Sequence, residues 1–217
     1  PSLKQGQFCY PTDQGAQVCV AISVDEQSQQ ATIDFTGTSA EQNNNFNAPH
    51  AITRAATLYV LRTLINQTIP LNDGFLRPIN LIVPKGSMLN PAYPAAVVAG
   101  NVETSQVVTD ALYGALETQA ASQGTMNNLT FGDDTWQYYE TLCGGTGAGN
   151  GYEGHHAVHS HMTNSRLTDP EILELRYPVR LSRFAMRENS GGSGKFCGGN
   201  GCERHFTFLK PMTVSML

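Results

Sequence analysis

A histidine-rich stretch in the second half of the chain contains its densest set of side chains that could do chemistry. The stretch HHAVHSHMTNSRLTDPE spans 155–171, and four of the six histidines of the chain fall within its first seven residues. Imidazole side chains transfer protons near neutral pH and bind metal ions. If residues 156–162 form a β-strand, alternation places His159 and His161 on the same face. Such a pair could bind a metal ion, line a cleft or have only a structural role.

A metal ion bound by this histidine pair would need further ligands. Catalytic zinc sites normally have three protein ligands and structural sites have four. Asp169, Glu171 or Glu140 could supply a carboxylate, but nothing in their spacing requires it. We therefore predict no metal bound by this chain, and we favour a histidine segment that borders a cleft.

The polar residues after the histidines predict anion binding and a helix start. The guanidinium of Arg166 can contact a carboxylate or a phosphate at two points, and Asn164 places an amide two residues before it. Asp169 before Pro170 is typical of a helix N-cap followed by proline in the first position. We predict Arg166 and Asn164 as substrate-binding residues, whereas capping alone explains Asp169.

The segment GNVETSQ, residues 100–106, predicts the start of a helix that runs from about Asn101 to Ser122, with Asn101 as its N-cap. Backbone N–H groups in a first helical turn bind anions, and the side chains of Thr104 and Ser105 would add donors. We predict Asn101, Thr104 and Ser105 as substrate-binding residues. Plain capping of the helix is the alternative.

The chain contains two glycine-rich segments, 143–154 and 190–201, and the first invites comparison with phosphate-binding loops. The first, CGGTGAGNGYEG, lacks the G-K-[ST] ending of a P-loop, and no helical pattern follows it. It instead predicts a close backbone crossing beside a cleft. Cys143 begins this segment and histidines follow it, so a Cys–His pair is conceivable, with a buried thiol of no chemical role as the alternative. We predict that all five cysteines are reduced in a cytoplasmic protein.

Composition narrows the classes of protein. The chain has 217 residues, of which 40% are hydrophobic and only 14% charged, and its net charge is -5. These values exclude a disordered chain and argue against a nucleic-acid surface that follows phosphates. No apolar run is long enough to cross a bilayer. The chain begins at Pro1 and ends in the apolar run MTVSML, which predicts a piece of a longer polypeptide.

Periodicity predicts an α+β fold with mixed or antiparallel sheets and two substantial helices. Strands are predicted at 17–24, at 30–36 and in INLIVP, and a helix from Ala51 to Asn66 begins after Pro49. After the second helix we predict strands in LTF, WQYYETL, HAVHSHM, VRLSRFAMR and ERHFTFL. No repeat or linker divides the chain, so 1–217 is expected to form one domain.

Several sequence blocks together resemble one known family. The blocks occur in the order DFTGTS, NFNAPHAIT, IPLNDG, GNVETSQ, SQGTMNN, YYETLCGGTGAG, HSHMTNSRLTDPEILE and RYPV. In combination they look like the B half of the hydantoinase B/5-oxoprolinase family, and they are most similar to ATP-dependent 5-oxoprolinases. The resemblance implies that the chain is part of a larger hydantoinase B-like domain, inactive in isolation.

The resemblance also implies a reaction and a partner. Family members act with an A half, an actin-like ATPase that is fused or separate and that binds ATP and Mg²⁺, so no cofactor is predicted in this chain. The implied reaction is ATP-dependent hydrolysis of 5-oxo-L-proline to L-glutamate. The alternatives are an N-methylhydantoinase or acetone-carboxylase-type subunit, and a non-catalytic module that docks the ATPase partner. We expect an oligomer, with neither a membrane nor a nucleic acid as partner.

For that reaction we assign hypothetical roles to the candidate residues. Arg166 would bind the substrate carboxylate, and the helix start at Asn101 would stabilise an oxyanion or a phosphate. His159 or His161 would move a proton, and Glu140 is a further candidate for the base.

Overall fold

The fold is described from a computed structural model, in which residues 3–65, 67–70 and 72–217 are described. Contacts divide the chain into two compact units, the first up to Gly124 and the second Thr125–Leu217. The expectation of one domain over 1–217 stays a prediction.

The first unit is built on a mixed sheet in the order β1-β2-β3-β4, formed by β1 (Gly6–Pro11), β2 (Gln17–Asp25), β3 (Gln30–Asp34) and β4 (Ile79–Ile82). The β1–β2 and β2–β3 pairings are antiparallel, whereas β3 and β4 run parallel. Alternation in β2 buries Val18, Val20 and Ile22. A half-buried strand has this period, because successive side chains point to opposite faces. The predicted strands at 17–24 and 30–36 are present.

Helix α1 (His50–Thr63) begins after Pro49, as the sequence predicts. The predicted end at Asn66 lies outside the described residues. The helix packs against α2 (Thr104–Leu116), which is buried on almost every side and also contacts β1 and β2. Burial all round is typical of a helix in the middle of a core.

The predicted bounds of α2 are wrong at both ends. Val98–Gly100 forms a 3₁₀ turn that Asn101 closes in the right-handed helical conformation, so Asn101 is not the N-cap; that position belongs to Glu103. At the other end Glu117 adopts a left-handed conformation with φ 51°, well before the expected end at Ser122. A left-handed residue breaks the hydrogen-bond ladder and ends a helix.

A disulfide joins Cys9 to Cys19, which corrects the prediction that all five cysteines are reduced. The antiparallel register of β1 and β2 sets these two residues directly opposite each other. Sequence reasoning missed β1, so it could not place the two cysteines face to face. Cytoplasmic location stays a prediction.

The second unit contains an antiparallel sheet and a hairpin. The sheet has the order β6-β5-β9, and β7 pairs with β8. Its elements are β5 (Asn128–Gly132), β6 (Gln137–Thr141), α3 (Pro170–Arg176), β7 (Val179–Met186), β8 (Cys202–Phe208) and β9 (Thr213–Met216). A mainly aromatic core joins them, in which the Phe131 ring lies 4.8 Å from the Tyr138 ring and 5.2 Å from the Phe208 ring.

The histidine segment is not a strand, which overturns the prediction for HAVHSHM. Its pairing in the described part of the chain is an isolated bridge between Val158 and Gly144. Ala157 and His161 have positive φ angles of 47° and 52°, which are incompatible with a pleated strand. His159 and His161 therefore do not share a strand face, contrary to the prediction.

The α+β class with two substantial helices and mixed or antiparallel sheets is confirmed. The short α3 adds to them, with Asp169 as N-cap and Pro170 in the first turn, as predicted. Among the described residues, no helix has the length and apolar character needed to cross a membrane.

Candidate functional site

The second unit gathers ionisable side chains around the end of strand β6. Glu140 and Thr141 are its last residues, and Cys143 follows two residues later. Strand β8 brings in Cys202 and Arg204, and the irregular segment after the first glycine-rich loop brings in His159. We call these six residues the β6 cluster. Its members come from three separate stretches of sequence.

Glu140 and Arg204 form a buried ion pair. Arg204 Nε lies 3.1 Å from Glu140 Oε1, and the side chains are 0% and 1% exposed. The pair is close enough for strong attraction, but the two atoms are not aligned for a hydrogen bond. On its other oxygen, Glu140 accepts a hydrogen bond of 2.6 Å from Tyr138 Oη. Burial of this kind is unfavourable for a charge unless a partner compensates for the lost water.

Arg204 is held from several sides. Its guanidinium carbon lies 4.8 Å from the centre of the Phe184 ring and 5.5 Å from that of Phe206. Its Nη2 donates to the backbone carbonyl of Thr168, at 3.2 Å. A guanidinium stacks on aromatic faces and keeps its charge at any physiological pH. These contacts fix a permanent positive charge beside Glu140.

Desolvation raises the pKa of Glu140 above its ordinary value. The hydrogen bond from Tyr138, the charge of Arg204 and the nearby His159 act in the opposite direction, without cancelling the effect of burial. The same desolvation, together with Glu140, raises the pKa of Tyr138, so its hydroxyl keeps its proton. Tyr138 is therefore the donor in this hydrogen bond.

His159 has a defined tautomer. Its Nε2 lies 2.9 Å from the backbone carbonyl oxygen of Thr141 and 3.1 Å from the hydroxyl of the same residue. Because a carbonyl oxygen can only accept, we assign the proton to Nε2. In the neutral ring Nδ1 then holds the lone pair. The Thr141 hydroxyl continues the chain of contacts to Ser165 Oγ, at 2.5 Å.

Cys143 and Cys202 lie side by side, with their Sγ atoms 3.5 Å apart. The hydrogen bond with Cys202 lowers the pKa of Cys143 to about 6 against the effect of desolvation, and the proximity of His159 and Arg204 contributes in the same direction. Sequence reasoning considered a Cys–His pair at Cys143, and the structure does bring this thiol near His159.

The two glycine-rich segments cross each other directly. A Cβ on Gly145 would overlap the backbone of Gly199, and a Cβ on Gly199 would overlap the carbonyl of His155. Backbone hydrogen bonds tie the segments together, from Gly154 N to Cys197 O and from Gly199 N to Thr146 O. The predicted close backbone crossing is present, and it holds Cys143, Cys202 and the histidine segment in place.

This crossing covers part of the glycine-rich loop at 143–154. The space that a phosphate would need beside Gly145 is filled by the second segment. In the part of the chain that the structure describes, no group of three or more His, Cys, Asp or Glu residues could hold a metal ion. His156 instead accepts a hydrogen bond at Nδ1 from the backbone of Asn200, at 2.8 Å.

Of the predicted site residues, Glu140 and His159 belong to the β6 cluster. Asn164 and Arg166 are exposed on either side of Ser165, whose hydroxyl contacts that of Thr141 in the cluster. His161 is partly buried in the same segment. All five lie in the second unit.

The remaining predicted residues lie in the first unit. Asn101 is exposed after the 3₁₀ turn, whereas Thr104 and Ser105 are buried in the first turn of α2. The Thr104 hydroxyl donates to the Phe46 carbonyl, and that of Ser105 donates to the Asn101 carbonyl, at 2.7 Å. Both hydroxyls thus already serve the packing of the helix, and the substrate-binding role of these three residues stays a prediction.

Sequence reasoning missed Arg204 and Cys202. Both lie in the predicted strand ERHFTFL or at its edge, and alternation sets Arg204 and Phe206 on one face. Phe208 lies on that face too, so a basic residue on an otherwise apolar strand face was the available signal for a buried partner of Glu140.

The sequence and the fold of this chain are both similar to those of known proteins. The model of the hydantoinase B/oxoprolinase family matches residues 2–217. The chain is 54% identical over 205 residues to 5-oxoprolinase 1 of Arabidopsis thaliana and 51% identical over 205 residues to 5-oxoprolinase of Dictyostelium discoideum. Each match covers 94% of this chain but 16% of the relative. The fold is also similar to that of the ATP-dependent caprolactamase from Pseudomonas jessenii, with a TM-score of 0.79 and 21% identity over 98% of this chain and 40% of that one.

The chain therefore belongs to the hydantoinase B/oxoprolinase family. Two of its relatives carry the name 5-oxoprolinase, and the chain spans about a sixth of their length.

Proposed function

We propose that this chain contributes to the ATP-dependent opening of a cyclic amide, with 5-oxo-L-proline as substrate and L-glutamate as product. The observation that carries the proposal is the 54% identity to 5-oxoprolinase 1, over 94% of the chain. Because the chain spans only 16% of that relative, we propose that it acts together with a hydantoinase A-like ATPase half, fused or separate.

The chemistry sets what this chain must do. A five-membered lactam is stabilised by resonance and is a poor electrophile. ATP, with Mg²⁺, would activate the carbonyl oxygen by phosphorylation, and in this proposal the ATPase half carries out that step. The residues here would bind the ring, orient a water molecule and take up its proton.

His159 is our candidate for the proton transfer. Its Nε2–H is committed to the Thr141 carbonyl, so Nδ1 is the atom that would accept a proton from water. Glu140 lies close enough for the two charges to interact, and a carboxylate nearby stabilises the imidazolium that forms. We therefore propose Glu140 as a positioning residue that acts through His159, with Arg204 and Tyr138 holding its carboxylate.

Substrate binding falls to the exposed residues of the neighbouring loop. Arg166 would contact the ring carboxylate at two points, and Asn164 would bind an amide or carbonyl group of the ring. His161 in the same segment is a second candidate for proton transfer. We retain Asn101, Thr104 and Ser105 as proposed binding residues, through the exposed Asn101 amide and the first-turn backbone.

The proposal is tested on the natural polypeptide that contains this chain, with its ATPase partner. We expect ATP hydrolysis that depends on 5-oxo-L-proline and releases glutamate, and an Arg166→Ala variant with a KM for 5-oxo-L-proline raised at least tenfold. Arg180→Ala is the matched control, because Arg180 is exposed on strand β7 and is assigned no role. Dependence on a hydantoin or on bicarbonate instead of 5-oxo-L-proline would contradict the proposed substrate.

A further inference from the structure

The Cys143–Cys202 pair stands apart from the proposed reaction, which uses neither sulfur. The two residues are 59 positions apart in sequence, yet their Sγ atoms lie 3.5 Å from each other. Cys143 is 7% exposed, and Cys202 is partly exposed. A bond between them would have a length of about 2.05 Å, so the sulfurs need to approach by roughly 1.5 Å.

The surrounding backbone permits this approach. Each cysteine has a glycine as its neighbour on the side of the loop crossing, Gly144 after Cys143 and Gly201 before Cys202. A Cβ on Gly201 would lie 3.7 Å from the Gly144 Cα atom, so the two glycines lie close together with no side chain between them. Glycine accepts a small change of backbone angles at little steric cost. The crossing thus holds the sulfurs close without rigid side chains between them.

The electrostatic surroundings activate one sulfur of the pair. The adjacent Cys202 thiol lowers the pKa of Cys143 most, His159 and the buried guanidinium of Arg204 also favour its thiolate, and Cys143 is the more acidic thiol. The thiolate is the form that reacts with peroxides and disulfides. Redox-sensitive cysteines commonly combine such a thiolate with a second thiol within reach.

We propose that Cys143 and Cys202 form a redox modification site, which a small hydroperoxide converts into an intramolecular disulfide. This inference goes beyond the proposed function and does not depend on it.

The chemistry proceeds in two steps. The Cys143 thiolate attacks one peroxide oxygen, so that an S–O bond forms, the O–O bond breaks, and hydroxide leaves with a proton from solvent as water. Cys202 then gives up its proton and attacks the Cys143 sulfur, which forms the S–S bond and releases the second oxygen as water. Two thiols and one hydrogen peroxide give one disulfide and two waters, and the sulfurs lose two electrons to the peroxide.

The test uses the natural polypeptide that contains this chain, treated with hydrogen peroxide, alkylated at its remaining thiols and analysed by peptide mass spectrometry. We expect a cross-linked Cys143–Cys202 peptide pair, lighter by two hydrogens than the reduced peptides and restored by dithiothreitol. In Cys202→Ser the second step is blocked, so Cys143 should accumulate as a sulfenic acid that a cyclic 1,3-diketone traps.

Cys197→Ser is the matched control, because Cys197 is exposed in the second glycine-rich segment. This variant should form the cross-link at the same rate as the unchanged protein. The proposal is overturned if Cys143 and Cys202 remain fully alkylatable while Cys197 is oxidised, or if Cys202 pairs with Cys197. Neither readout involves turnover, so this proposal can fail independently of the proposed function.

Discussion

Replacing Arg204 with Met should strongly destabilise the second unit. The change removes a buried cation and leaves the Glu140 carboxylate, 1% exposed, with Tyr138 as its hydrogen-bond donor. Breaking a buried ion pair on one side costs about 3–5 kcal/mol, because the remaining charge is left without compensation. That loss is a large fraction of the roughly 5–15 kcal/mol by which a domain is stable.

The assay is urea unfolding of the 217-residue chain followed by tryptophan fluorescence. Trp136 is the only tryptophan of the sequence, and it lies in the second unit beside β6, so its signal reports this unit. With an m-value of about 2 kcal/mol/M, a loss of about 3–5 kcal/mol lowers the midpoint by roughly 1.5–2.5 M.

Two further variants test whether the buried Glu140–Arg204 pair stabilises the second unit. Arg183→Met removes an exposed arginine that pairs with Glu203, and it should leave the midpoint close to its original value because solvent screens such pairs. The double variant Arg204→Met/Glu140→Gln should lose less free energy of unfolding than the two single variants lose in sum. The difference should be about 1–3 kcal/mol. An Arg204→Met midpoint as high as that of Arg183→Met would refute a stabilising buried pair.

Two other predictions concern pH and the loop crossing. Desolvation raises the folded-state pKa of Glu140 above 4.5, so the folded state binds this proton more tightly than the unfolded state. The free energy of unfolding therefore falls as pH rises from the unfolded-state pKa through the folded-state pKa. The deficit of Arg204→Met in urea unfolding should therefore shrink as pH is lowered from 8 to 4; a constant deficit would contradict a buried carboxylate. Gly199→Ala should lower the free energy of unfolding by about 1–3 kcal/mol, because its Cβ would overlap the His155 carbonyl. Gly192→Ala is the control and should leave it unchanged, because the space around Gly192 is open. Equal losses in the two variants would contradict the loop crossing.

Local sequence patterns predicted much of the fold, because they depend on neighbours in sequence. Apolar residues alternate in β2 and recur with a helical period in α1 and α2, because these elements bury apolar side chains in the core. All three elements are present in the structure. The bounds of α2 were wrong, since a 3₁₀ turn before it and a left-handed Glu117 after it depend on tertiary packing.

The histidine segment shows which part of the candidate site could not be predicted from the sequence. Its alternating small and polar residues are compatible with a strand, yet the glycine-rich crossing bends it into turns with a positive φ at His161. Glu140 and His159 were recognisable by residue type. Their proximity to Arg204 and Cys202 was not predictable, because it arises from pairings across some 60 residues of sequence.

The most direct test of the proposed proton transfer is the turnover of a His159→Gln variant of the natural polypeptide, measured as glutamate release driven by ATP. Glutamine can still donate to the Thr141 carbonyl but offers no basic nitrogen in place of Nδ1. We predict a loss of kcat of about 10²–10⁴, the usual contribution of general base catalysis, and near-normal turnover for the control His205→Gln on the exposed part of β8. A loss below about tenfold, or about 1.4 kcal/mol, for His159→Gln would contradict a catalytic role for this imidazole.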